Sequence, residues 1–132
     1  MKLDISKLKT IQDVREDFNT RYPFLKLEFY KKANLVHSIG TKDHLSHSTL
    51  LRSAGLKKEG HIEIYDDITV GELERIFQEQ FGLSAQVSRN SGGVWLETTM
   101  TDNWTLRKQN DYGKEIVKRT HQDFTNTGQI DN

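Results

Sequence analysis

Three of the five histidines lie in one stretch of the chain, at His37, His44 and His47. Imidazole nitrogens are common ligands of zinc, copper and nickel, and residues at i and i+3 share one face of a helical turn. His44 and His47 have this spacing. The three residues are therefore a candidate metal site, although a solvated polar loop explains them without any metal. We expect no cofactor and keep a metal-binding or metal-dependent protein as an alternative.

Basic residues concentrate in the same region. Residues 31–60 contain six Lys or Arg and two Asp or Glu, which gives a net charge of +4, whereas residues 61–82 contain one Arg and six acids, which gives −5. The basic side chains could contact nucleic-acid phosphates, but no aromatic residues suited to base stacking are interleaved with them. A nucleic-acid binder is thus a second alternative. Its candidate residues are Lys31, Lys32, Lys42, Arg52, Lys57 and Lys58.

The acids and serines predict no catalytic site. Asp66 and Asp67 lie where a helix is predicted to begin, and the helix dipole favours negative charge there. Ser46, Ser48 and Ser53 lie near histidines, but no GxSxG sequence surrounds them. Because no set of residues has a catalytic spacing, we expect a protein without enzymatic activity.

Aromatic residues in the predicted strands indicate a binding surface instead. Val94 and Leu96 alternate with Trp95, so Trp95 points to the other face of its sheet. If helices cover the first face, Trp95 lies on an open face, where Trp and Tyr commonly anchor protein partners. The alternative is that the C-terminal segment folds back and Trp104 covers this face. The candidate partner-binding residues are Trp95, Tyr30, Tyr65 and Trp104.

Two segments with the same pattern predict helices. They begin at Thr10 and Thr69, and each places apolar side chains at offsets 1, 4, 8 and 12 and an acid at offset 3. These offsets form one stripe of an α-helix, and a threonine with an acid three residues later forms a capping box. Glu72 is expected to close this box better than the shorter Asp13. We attribute the repeated pattern to convergence, because helix-then-strand units arise easily without a common origin.

Four segments alternate apolar and polar residues and predict strands. They cover residues 25–30, 61–65, 83–88 and 94–99. With the two helices, their order matches a circular permutation of the split-βαβ arrangement. We therefore predict an α+β fold, with two helices on one face of a four-stranded, mainly antiparallel sheet in ferredoxin-like order, plus a C-terminal helix from about Thr105 to Arg119.

The length of 132 residues predicts one domain. We place this domain at residues 1–119, with a long irregular loop at about 33–58 and a flexible tail at 120–132. A short helix is predicted around Thr49–Ala54 inside the loop. Loops of this length tend to be either functional or disordered, and the sequence leaves both possibilities open.

Composition excludes several classes of function. The chain has no cysteine, which rules out disulfides, thiol nucleophiles and thiolate metal sites. No run approaches the roughly 20 apolar residues that a membrane-spanning helix needs, and the N-terminal residues lack the pattern of a signal peptide. We therefore expect a cytoplasmic protein without a membrane partner.

The stretch from Gly60 to Leu106 carries a resemblance to a known family. Its sequence, GHIEIYDDITVGELERIFQEQFGLSAQVSRNSGGVWLETTMTDNWTL, resembles a family of small, uncharacterised bacterial proteins with no assigned activity. The resemblance covers most of the chain, less clearly the histidine region and the tail. It implies a compact bacterial domain and brings no catalytic residue, cofactor or partner.

The sequence predicts a function in binding rather than in catalysis. Aromatic residues are available for an open sheet face, while no catalytic set is present. We expect an interaction module that binds a protein, or a second copy of itself, through a sheet face or edge. Replacing Trp95 with Ala is expected to weaken that binding without unfolding the domain.

Overall fold

A computed structural model describes residues 1–31 and 43–130 of the chain, and the side chains of residues 1–31 and 43–120. In this part of the chain, three α-helices and five strands form an α+β fold, as the sequence predicts. In chain order the elements are β1 (Lys2–Ile5), α1 (Ile11–Arg21), β2 (Leu25–Tyr30), β3 (Gly60–Glu63), α2 (Val70–Ile76), β4 (Ser84–Ser91), β5 (Val94–Glu97) and α3 (Leu106–Ile130).

Both predicted helices begin at their threonines with a complete capping box. The backbone N–H of Thr10 donates to Asp13 Oδ2 at 2.9 Å, and that of Thr69 donates to Glu72 Oε2 at 3.2 Å. The expectation that the shorter Asp13 caps less well was therefore wrong. Helix α2 continues as one π-helical turn, Phe77–Phe81, before a glycine with a φ of 72° ends it.

The five strands form two antiparallel sheets. One contains β1 and β3, and the other has the order β2-β4-β5. The predicted single four-stranded sheet in ferredoxin-like order is not confirmed, because β3 pairs with β1 and not with the other predicted strands. The sequence analysis did not predict β1. Its register places Leu3 opposite Ile62, and both side chains are buried.

The two sheets show that the repeated helix pattern belongs to a larger structural repeat. The segments β1-α1-β2 and β3-α2-β4 have the same element order, and their helix caps, Thr10 and Thr69, occupy the same place in each unit. Equivalent strands pair with each other, β1 with β3 and β2 with β4, both antiparallel. The two units therefore face each other in the manner of a two-fold pair.

The repeat extends beyond the second strand of each unit. In the first half, a returning segment meets the start of α1, where Ile11 N–H donates to Thr49 O at 3.0 Å. In the second half, Val70 N–H donates to Trp104 O at the same distance. Further matching bonds follow, since Leu51 N–H donates to the carbonyl of residue 9 and Leu106 N–H to that of residue 68, both at 2.9 Å. Convergence of two capping patterns does not require this agreement in backbone pairing.

The hydrophobic core lies between the two units. Its largest side chains come from both halves, and Phe18, Phe29, Phe77 and Phe81 are all at most 2% exposed. The rings of Phe29 and Phe77 meet edge to face, with centroids 5.4 Å apart. The apolar stripes predicted for the two helices thus form one shared core.

Helix α3 packs across β4 and β2. It begins near the predicted start and continues past residue 119, where the prediction ended it. Gly113 lies inside this helix, where the helix packs closely on the sheet. A Cβ atom at this position would lie 3.0 Å from the Phe24 side chain and 3.2 Å from the Asn90 carbonyl oxygen, so the close packing favours glycine. The flexibility of the tail from residue 120 stays a prediction.

The described part of the long connection is partly regular. A 3₁₀ turn at Leu51–Ala54 confirms the short predicted helix, and both of its terminal side chains are buried. Residues 32–42, which include most of the first part of the predicted loop, lie outside the described residues. Within the described chain, no helix is both long enough and apolar enough to cross a membrane.

Candidate functional site

The hairpin of β4 and β5 determines which backbone groups face outward. Its turn is Gly92-Gly93, with φ values of 67° and 94°, conformations that glycine adopts without a Cβ penalty. In a two-residue hairpin the residues that flank the turn, here Ser91 and Val94, form a hydrogen-bonded pair. Hydrogen-bonded and non-hydrogen-bonded pairs then alternate along the two strands, so Trp95 and Glu97 belong to non-hydrogen-bonded pairs. The N–H and C=O groups of Trp95 and Glu97 therefore point away from β4.

Strand β5 is also exposed through its side chains. Val94 is 58% exposed, Trp95 38% and Leu96 45%, and they are consecutive. The outer backbone edge of β5 has no pairing strand among the described residues. An edge strand that offers both unpaired backbone groups and apolar side chains is a ready template for another strand. We call Val94–Leu96, with the outward backbone groups of Trp95, the β5 edge.

The other outer strand of the same sheet is closed. The carbonyl of Leu25 accepts a hydrogen bond from the Asn19 side chain, and the carbonyl of Leu27 accepts one from Arg15 Nε at 2.8 Å. Further along, Leu45 N–H donates to the carbonyl of residue 29 at 2.8 Å. The outer edge of β2 is thus occupied by its own chain, and β5 is the outer strand left open in the described part of this sheet.

The side chain of Trp95 lies on the sheet face opposite the core, as predicted. Lys26 Nζ is 4.8 Å from the centre of its ring, a cation–π contact. On the same face, the Tyr30 hydroxyl donates to Glu97 Oε1 at 3.0 Å. Burial, together with this hydrogen bond to a carboxylate, raises the pKa of Tyr30. The phenol therefore stays protonated and links β2 to β5.

A charged cluster surrounds Glu28 on the same face. This carboxylate is only 6% exposed, and it pairs with Arg15, with Lys26 Nζ at 2.9 Å and with His44 Nδ1 at 3.2 Å. Burial alone would raise the pKa of Glu28, but the hydrogen bond from Lys26, the charge of Arg15 and the hydrogen bond from His44 together hold that pKa below its ordinary value. The cluster fastens α1 and the segment at His44 to β2.

The structure brings together two of the four predicted partner-binding residues. Trp95 and Tyr30 share one sheet face, although Tyr30 is only 7% exposed. Tyr65 is 63% exposed, but it follows β3, which belongs to the other sheet. Trp104 packs against Tyr112 on the side of the sheet that faces α3, with the centroids of the two rings 5.5 Å apart. Trp104 therefore does not cover the face that carries Trp95.

A second surface feature lies around Trp104. The Lys108 ammonium is 4.2 Å from its ring centre, and the Arg89 guanidinium lies over the neighbouring Tyr112 ring at 4.6 Å. An open depression of about 430 Å³ adjoins these residues. Its lining is Thr105, Arg107, Lys108, Asp111 and Tyr112. Two of the aromatic rings here already contact cations of the same chain, and the lining itself carries two basic side chains and one acidic one.

Only part of the predicted metal site lies among the described residues. His37 lies outside the described residues, and His44 and His47 lie in a β-bridge and a turn, so they do not share a helical face. His44 instead contacts Glu28. Among the described residues, no group of three or more His, Asp or Glu side chains could hold a metal ion. A site that includes His37 stays a prediction.

The predicted nucleic-acid surface is likewise partly described. Lys32 and Lys42 lie outside the described residues. The remaining four candidates are exposed, which is compatible with binding and equally with solvation. They are Lys31, Arg52, Lys57 and Lys58.

Sequence reasoning missed two features of this region. The cluster around Glu28 combines residues from α1, β2 and the segment at His44, and no local pattern indicates such a grouping. The open β5 edge did leave a signal, since a Gly-Gly turn is followed directly by three apolar residues with no intervening charge. That signal indicates an unprotected edge strand.

Comparisons with protein-family models, with curated proteins and with solved structures found no match to this chain. The resemblance to a family of small bacterial proteins therefore stays a prediction.

Proposed function

We propose that this protein is a non-enzymatic interaction module that binds an extended protein segment at the β5 edge. The partner strand would add to the sheet next to β5, forming hydrogen bonds with the backbone of Trp95. Main-chain pairing of this kind supplies affinity, and alternate side chains supply specificity.

The observation that supports this proposal is the difference between the two outer strands of one sheet. The edge of β2 is closed by Asn19, Arg15 and Leu45, whereas the edge of β5 is open in the described chain. Natural proteins usually blunt an exposed edge with charge, proline or a bulge. Three consecutive apolar residues at an open edge are better explained by a partner than by solvent.

The metal and nucleic-acid alternatives rest on fewer described contacts. Of the three candidate histidines, His44 and His47 are described, and His44 contacts Glu28, a contact that already serves to hold β2. The stretch that carries the basic candidates, residues 31–60, contains no Phe, Tyr or Trp that could stack with bases. The proposal includes a cytoplasmic location, with which a chain that lacks cysteine is compatible.

A peptide library can test the proposal. We suggest panning displayed eight-residue peptides against the full chain, with a Leu96→Lys variant used for counter-selection, because a charge on an edge strand blocks strand addition. We expect enrichment of peptides with alternating apolar residues. Bound peptide should slow amide hydrogen exchange at Trp95 by at least about tenfold, since its outward N–H group becomes hydrogen-bonded.

A matched control distinguishes binding at the β5 edge from non-specific binding to exposed apolar side chains. Leu8 is 71% exposed and lies outside the strands. A Leu8→Lys variant removes a comparable apolar side chain and should bind the selected peptides like the unchanged protein. Absence of enrichment, or equal loss of binding in the Leu8→Lys and Leu96→Lys variants, would contradict the proposal.

A further inference from the structure

We infer that the strand that occupies the β5 edge is β5 of a second copy of this chain, antiparallel, with Trp95 opposite Trp95. This inference rests on the proposed function and adds the identity and the register of the partner. It yields a two-fold dimer whose two sheets join into six strands in the order β2-β4-β5-β5-β4-β2.

The backbone of β5 permits this register. Trp95 directs its N–H and C=O groups outward, because Asn90, the β4 residue opposite Trp95, directs its own N–H toward β2, where it donates to Phe24 O at 2.9 Å. In an antiparallel pair, two residues with outward groups that face each other exchange both hydrogen bonds. Trp95 opposite Trp95 is such a pair, located on the two-fold axis.

The side chains of β5 favour this register over its neighbours. Centred on Trp95, the pairing places Val94 opposite Leu96 on both sides of the axis, so that each of the three exposed apolar residues meets another. Centred on Leu96, it would place Trp95 opposite Glu97 and Val94 opposite Thr98. Centred on Glu97, it would place two carboxylates opposite each other, which is destabilising.

Charge does not oppose the association. The chain has 19 basic and 19 acidic residues, so its formal net charge is zero at neutral pH, a condition that promotes self-association. Lys26 lies over the Trp95 ring and keeps its ion pair with Glu28, so it needs no new partner in the dimer. Since a four-residue strand buries little area, we expect dissociation constants in the micromolar range.

The cysteine-free chain allows a direct test of the register. Two single variants, Val94→Cys and Leu96→Cys, are prepared and oxidised gently, each alone and as an equal mixture. In the proposed register, residue 94 of one copy faces residue 96 of the other as a non-hydrogen-bonded pair with Cα atoms about 4.5 Å apart, which suits a disulfide. Two copies of residue 96 would lie more than about 7 Å apart, beyond disulfide reach.

We expect the mixture to give a cross-linked dimer that joins one chain of each variant, and each variant alone to give at most a tenth as much. Sedimentation of the unchanged protein should show a dimer whose fraction rises with concentration and falls at least tenfold for Leu96→Lys. Efficient cross-linking of Leu96→Cys alone would overturn the register. A monomer at all concentrations, without cross-linking in the mixture, would overturn the inference.

The two proposals fail in different ways. If the protein stays monomeric but library peptides protect the Trp95 amide, the edge binds strands of other proteins and only the second copy is excluded. If a monomer shows no peptide binding at all, the proposed function itself is excluded.

Discussion

The two halves of this protein follow one structural plan, and they differ in what lies beside the last strand of each unit. In the first half, the outer edge of β2 is closed by side chains of α1 and by the segment at His44. In the second half, β4 is followed by β5, which pairs with β4 and leaves its own edge open in the described chain. A repeated plan has thus produced one protected edge and one edge available for binding.

The equivalent helix positions Arg15 and Glu74 illustrate how this difference arises. Each side chain extends from its helix to the following strand, Arg15 Nε donating to Leu27 O at 2.8 Å and Glu74 Oε2 accepting from Val87 N–H at 2.9 Å. One supplies a donor and the other an acceptor. The same backbone arrangement therefore accepts a hydrogen-bond donor at this helix position in one half and an acceptor in the other.

The largest expected effect compares an inner residue of β2 with an outer residue of β5. Phe29→Ala removes a ring that is 1% exposed and contacts Phe77, so the free energy of unfolding should fall by about 3–5 kcal/mol. Leu96→Ala should change it by less than about 1 kcal/mol, because Leu96 is half exposed. Chemical denaturation at low protein concentration measures both. Equal losses would show that β5 is part of the core.

The next effect concerns the closure of the β2 edge. Arg15→Met keeps much of the side-chain volume but removes the donors to Leu27 O and Glu28, which leaves a buried carboxylate with fewer partners. We expect the free energy of unfolding to fall by about 2 kcal/mol. Thermal or chemical unfolding measures this loss.

A double variant provides the control for that effect. In Arg15→Met with Glu28→Leu, the buried charge is absent as well, and part of the lost stability should return. A loss that is the same in the single and the double variant would mean that Arg15 acts through packing and not through Glu28.

A smaller effect depends on pH. The pKa of Glu28 is lower in the folded protein than its ordinary value of 4.5, so its charge contributes stability that is present above that value and is lost as the pH falls through the lowered pKa. Glu28→Gln should therefore be less stable than the unchanged protein at pH 7, and the difference should shrink below about pH 4.5. Denaturation at a series of pH values tests this, and a gap that is independent of pH would contradict it.

Local signals in the sequence predicted much of the secondary structure. The threonine caps placed the starts of α1 and α2 at the correct residue, and alternation identified β2, β4 and the hairpin with β5. These features depend on neighbours within a few residues. Trp95 on the face opposite the core follows from the same alternation, whereas its contact with Lys26 depends on the strand order β2-β4-β5, which the sequence did not predict.

The sequence could not predict features that depend on distant partners. β1 has only two apolar residues in a four-residue strand, and its strand character comes from pairing with β3 far along the chain. Without β1, β3 was assigned to the larger sheet, and the division into two sheets was missed. The cluster at Glu28 was missed for the same reason, since Arg15 and His44 reach it from different elements.

Each of the two sheets takes strands from both halves, which has a consequence for the chain as a whole. Neither half contains all the strands of a sheet. The core between the halves therefore corresponds to the interface of a dimer whose two subunits are joined in one polypeptide. The connection between β2 and β3 then acts as a tether that keeps the two subunits at a high effective concentration. Covalent linkage of the halves would in this way replace the large contact area that two separate chains of this size would need.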